Sequence, residues 1–161
     1  MDSQQIPAEH MKAGEDYLAA LKALGLRPMF LGWGEEIASK QWLLVMITSI
    51  VDAGGPLALN KLLFRAYNAE ATPKTISPFI VRVYSPDIVP ADFYSMADTD
   101  VKITPPNIGI SINFRVKFDG VEYEMINSYI RPPKQKPVKT RYHANLNDWQ
   151  KFKRNVEKLV A

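Results

Sequence analysis

Cysteine is absent from this chain of 161 residues. Disulfides, thiolate nucleophiles and cysteine-based zinc sites are excluded together, and the composition suits a reducing compartment. Histidine is scarce as well. His10 and His143 stand far apart, no H-E-x-x-H pair exists for zinc, and two candidate bases give an acyl-transfer triad little to work with. No serine lies in a G-x-S-x-G turn. Glycine supplies no phosphate cradle, since neither G-x-G-x-x-G nor G-K-[ST] occurs. Gly54-Gly55 follows Asp52, whose charge would repel a phosphate, so a strand-to-helix turn is expected there. The sequence therefore implies no cofactor and no metal site of a familiar kind. Long apolar runs are missing too. The most apolar stretch, Trp42 to Val51, is ten residues, well short of the roughly 20 needed to span a bilayer. The segment MDSQQIPAEHMK has no basic stretch followed by an apolar one, so a cytoplasmic protein without a membrane span is the expectation.

What is present is an ordinary globular composition, 47% apolar and 23% charged, neither disordered nor membranous. The length suits one domain with a normal core. Charge is unevenly divided. Residues 131–161 hold nine Lys or Arg against two acids, a net +7, whereas residues 1–130 hold eleven against fifteen, a net −4. A bias spread over so many residues points to a surface that meets an acidic partner.

Periodicity supplies the elements. Met11, Tyr17, Leu18, Leu21 and Leu24 recur at helical spacing from Ala8, and Gly25 and Pro28 mark the end of that helix. Met29 to Trp33 and Trp42 to Val51 read as strands, the second apolar on both faces. A helix from Pro56 presents Leu59, Leu62, Leu63, Ala66 and Tyr67 on one side. Phe79 to Tyr84 reads as a further strand, and Ser85 to Pro106 as an irregular connection rich in proline. The strongest signal is the alternation of Ile108, Ile110, Ile112, Phe114, Val116 and Phe118 with small or polar residues, closed by Asp119-Gly120. It predicts a hairpin with Lys117 opposite Glu122 and Arg115 opposite Glu124, disturbed at Ile126-Asn127 by a bulge or by the strand's exit. Pro132, Pro133 and Pro137 predict an extended basic arm over 131–145. A final amphipathic helix is expected from near Asn147, with Trp149, Phe152, Val156, Leu159 and Val160 on its apolar side, packed on the core of residues 1–130 or on a second copy. The expected fold is α+β, a single domain with a mainly antiparallel sheet and helices packed on one face. The first helix and the hairpin also leave a homo-oligomer open.

Two functional readings follow. In the first, the protein is a non-catalytic binding or accessory protein. Arg131, Lys134, Lys136, Lys139 and Arg141 of the arm, with Lys151, Arg154 and Lys158 on the outward side of the last helix, meet an acidic protein or nucleic acid; Tyr142 and Trp149 could add stacking on unpaired bases, although the place of Trp149 on the apolar side makes it first a core anchor. The competing explanation is that these cations are a solvated face or rest on an acidic patch of the body such as Glu35-Glu36. In the second reading, Pro86-Asp87 and, after twelve intervening residues, Asp100-Val101-Lys102 form the PD-(D/E)xK pattern of metal-dependent nucleases, with Asp87 and Asp100 as cation ligands and Lys102 orienting water. The pattern is short and degenerate, and turn-forming aspartates explain it equally well. Asp98 and Asp100 together make a poor cation site. Gly32-Trp33-Gly34 followed by Glu35-Glu36 either lines a pocket or ends a strand in an acidic loop.

Overall fold

A computed structural model describes residues 6–99, 109–131, 133 and 142–159. The first helix, α1 (Ala8–Ala23), ends as its sequence dictates: Gly25 takes φ +94°, its N–H reaches the Lys22 carbonyl, and the Leu26 N–H reaches that of Leu21 at 2.9 Å. This Schellman closure brings two fully buried leucines together below the turn. The chain then forms β1 (Phe30–Glu36), β2 (Trp42–Ile47), the short α2 (Ile50–Gly54) and α3 (Pro56–Asn68). A 3-10 turn at Pro78–Ile80 leads into β3 (Val81–Tyr84), and α4 (Ala91–Thr99) follows. The hairpin β4 (Ile110–Phe118) and β5 (Val121–Ser128) and the last helix α5 (Tyr142–Lys158) complete the described residues.

The strand order is β3-β2-β1-β5-β4, antiparallel throughout except for the parallel β2–β3 pair. That one parallel pair follows from chain direction, because α2 and α3 carry the chain back across the sheet between the two strands. The α+β, mainly antiparallel, single-domain expectation holds. The hairpin has the expected register, Phe118 with Val121, Lys117 with Glu122 and Arg115 with Glu124. Asp119 and Gly120 both have positive φ, +49° and +85°, the backbone of the tight turn that suits the right-handed twist of paired strands. The disturbance also falls where alternation fails, but the extra residue is on the facing strand. Ser111 pairs with Asn127 and Phe114 with Met125, so β4 bulges opposite Ile126.

Four expectations are corrected. Trp42 to Val51 is not one strand: β2 stops at Ile47, and Thr48 Oγ1 accepts the Ile50 N–H at the start of α2. The proline-rich connection holds a helix, α4, immediately after Pro90. α5 begins at Tyr142, five residues ahead of Asn147, and its Leu159 is 40% exposed rather than part of the apolar side. Finally, α4 does not join the other helices. α1, α2, α3 and α5 cover one sheet face, with Leu31, Trp33, Leu44 and Met46 beneath them. Phe93 and Tyr94 of α4 pack on the opposite face with Phe30, Val45, Phe118 and Met125.

That second core is enclosed by curling of the sheet. Tyr84 on β3 and Phe118 on β4 are four strand spacings apart, about 19 Å in a flat sheet, yet their rings lie 5.0 Å apart. The Tyr84 hydroxyl is also hydrogen-bonded to that of Tyr123 on β5.

Candidate functional site

α5 owes its place to its apolar stripe. Trp149, Phe152 and Val156 recur at helical spacing and are buried in the core beneath α1, α2 and α3. Each contributes about 1.5–3 kcal/mol of burial. Gly54 of α2 makes room for the largest of them, since a Cβ there would lie 2.3 Å from the Trp149 indole. The Gly54-Gly55 pair is thus a packing and turn device between two helices. Asn155 fixes the flank of α5 by donating from Nδ2 to the Leu24 carbonyl at 2.8 Å, so the closing turn of α1 holds the helix in rotation. Lys151 lays its aliphatic stem beside Gly25.

With the apolar side turned in, about 100° per residue sends Lys151, Arg154 and Lys158 outward. All three are exposed, as is Lys153 on the same helix. None of them makes an ion pair with a described residue; the cationic partners in the ion pairs among those residues are Lys12, with Glu15 and Asp16, and Lys40, with Glu35. The proposed acidic counter-patch is otherwise engaged: Glu35 lies 3.8 Å from Lys40, and Glu36 accepts from the Ser39 hydroxyl. Arg131, just beyond β5, is exposed too. The sequence-derived arm residues Lys134, Lys136, Lys139 and Arg141 lie outside the described residues. The structure therefore unites Lys151, Arg154 and Lys158 on one ridge.

The phosphodiesterase constellation is represented by Asp87 alone. It sits in a 3-10 turn at Pro86–Ile88, where Ser85 Oγ accepts its backbone N–H. Asp100 and Lys102 lie outside the described residues, and Asp98 falls within α4. Among the described residues no group of three His, Asp or Glu side chains is arranged to hold a metal ion. Nor do the perturbed phenols offer a base near neutrality. Burial raises Tyr17, Tyr84, Tyr94, Tyr123 and Tyr129 above the usual tyrosine pKa, Tyr129 to about 12.

One further feature is assembled only by tertiary structure. Where α1 begins, a cleft of about 190 Å³ opens between that helix and the sheet, lined by Ile6, Pro7, His10, Trp33, Trp42 and Ile80. The Gly-flanked Trp33 was a usable signal, but its companions come from three separate stretches of the chain. They meet through the β1–β2 register, which sets Trp33 opposite Leu44 and Glu35 opposite Trp42.

No helix among the described residues is long and apolar enough to cross a membrane. Comparison of the chain with protein-family models, curated proteins and solved structures gives no match.

Proposed function

We propose that the protein is a non-catalytic binding protein of the cytoplasm that engages an acidic partner, nucleic acid in the first instance, through the outward ridge of α5 and the basic residues leading into it. The observation that carries this reading is the state of Lys151, Arg154 and Lys158: exposed, aligned on one side of a helix whose other side is anchored in the core, and without an acidic partner among the described residues. An anchored helix holds its charges in fixed spacing, which lowers the ordering cost of meeting a row of phosphates.

The test is titration of labelled single- and double-stranded oligonucleotides over a range of salt, comparing wild type with K151E/R154E/K158E. Three lost phosphate contacts should flatten the slope of log affinity against log salt by about 2.7 for duplex, or about 2.1 for single strands. Absence of binding at low salt would end the nucleic-acid reading, and an unchanged slope in the triple variant would remove α5 from it. A metal-dependent phosphodiesterase centred on Asp87, Asp100 and Lys102 is the rival, and no geometric observation favours it. Divalent-cation-dependent cleavage of the same oligonucleotides, lost in D87N, would revive it.

A further inference from the structure

The cleft at the start of α1 has a chemistry independent of the basic ridge. Its volume, about 190 Å³, is below the 300–1,000 Å³ typical of cofactor and drug-sized sites, yet above the roughly 150 Å³ of an apolar cavity that accepts benzene. It has room for one ring, not for a nucleotide.

The walls narrow the class of occupant further. Trp33, Trp42 and His10 are aromatic, Ile6 and Ile80 aliphatic. Trp33 is fully buried, and its indole N–H is already committed to Tyr129 Oη at 2.8 Å. The Tyr129 hydroxyl in turn donates to the Met11 carbonyl at 2.7 Å. Trp33 therefore offers ring carbon rather than a donor. The His10 imidazole meets it edge to face, with ring centres 5.9 Å apart. His10 supplies the polar element: its Nδ1 is buried without a hydrogen-bond partner, and neither ring nitrogen is bonded to a described residue. An aromatic enclosure with one uncommitted imidazole suits a planar ring bearing a hydrogen-bonding group.

We propose that this cleft binds a small monocyclic aromatic molecule carrying a hydroxyl or comparable donor, of which phenol is the simplest. The ring lies against Trp42 and Ile80 above the closed floor that Trp33 forms, and the hydroxyl donates to the His10 imidazole.

The protein has three tryptophans, and this supplies an internal control, because Trp149 lies on α5 and lines no part of the cleft. Phenol and toluene would be titrated into the full chain while the three indole N–H resonances are followed by NMR. Saturable shifts of Trp33 and Trp42, with Trp149 unmoved and phenol tighter than toluene, are expected. H10L should weaken phenol roughly tenfold while leaving toluene within about twofold, since one hydrogen bond is removed and apolar surface is kept. I80F should fill the cleft and reduce the affinity for both. Each variant's folded state is read from the dispersion of the same spectra. Shifts that do not saturate, that move Trp149 equally, or a toluene affinity equal to that of phenol in wild type would overturn the proposal, and so would a folded H10L that loses both ligands alike.

Discussion

Single residues in this molecule are constrained chiefly by closeness. A Cβ added to Gly32 would lie 2.1 Å from the Asn127 carbonyl oxygen, a backbone atom that cannot swing aside. Gly32→Ala should therefore lower unfolding free energy in urea by about 1–3 kcal/mol, and a change below about 0.5 kcal/mol would mean that β5 gives way freely. Tyr129 carries a different load. Its hydroxyl accepts from the buried Trp33 indole and donates to the Met11 carbonyl, tying β5, β1 and α1 together. Tyr129→Phe leaves the indole N–H unpaired at a buried site, with an expected loss of about 1–3 kcal/mol. Indole N–H exchange in the same variant should quicken, and unaltered exchange would show that another group takes the proton.

The elements divide their faces sharply, and α5 shows the division best. Phe152→Ala, at a position with no exposed surface, should cost about 3–5 kcal/mol. The charge reversals K151E, R154E and K158E should each stay within about 0.5 kcal/mol. Denaturation midpoints compare them directly, and a large cost from the reversals would mean that the ridge packs against something in the folded chain. The edge strand β3 shows the same economy. Arg82 Nη1 takes up the Phe79 carbonyl at 2.7 Å, covering a backbone acceptor beside the open edge. Elements of this kind were legible in sequence in proportion to how local their signal is. The β4–β5 hairpin was readable to its register because strict alternation and Asp119-Gly120 agree. The Gly25 helix end was readable for a similar reason. Trp42 to Val51 misled because a continuous apolar run does not distinguish a buried strand from a buried helix, and the change falls at Thr48-Ser49 without glycine or proline. Pro90 reads in sequence as a mark of irregularity, yet it stands immediately before α4, a place where proline costs a helix nothing. The outward set of Lys151, Arg154 and Lys158 followed from helical period alone. The cleft did not, because His10, Trp33, Trp42 and Ile80 meet only through tertiary register.

At the scale of the molecule, two cores share one curled sheet, and five tyrosines titrate above their ordinary value because they are buried in or against those cores. A raised phenol pKa means that the folded state holds its proton more tightly than the unfolded chain does. The associated stability is complete below pH 10 and falls as pH climbs past 10 toward the folded values, about 12 for Tyr129. Urea midpoints should accordingly stay level with respect to these phenols up to about pH 10 and then decline, with the decline shallower in Tyr129→Phe. Ionisation of all seven tyrosines near pH 10 without loss of structure would contradict this. The β1–β5 pairing at the centre of the sheet also sets an order in time. β1 lies in the middle of the finished sheet, yet the buried backbone N–H of Trp33 finds its acceptor, Asn127 Oδ1, 94 residues further along the chain. During synthesis, α1, β1, β2, α2, α3 and β3 emerge while one side of β1 still has no neighbour. For that interval the strand destined for the centre is an unprotected edge, and the newborn chain is most prone to stick to its own kind just before the hairpin arrives.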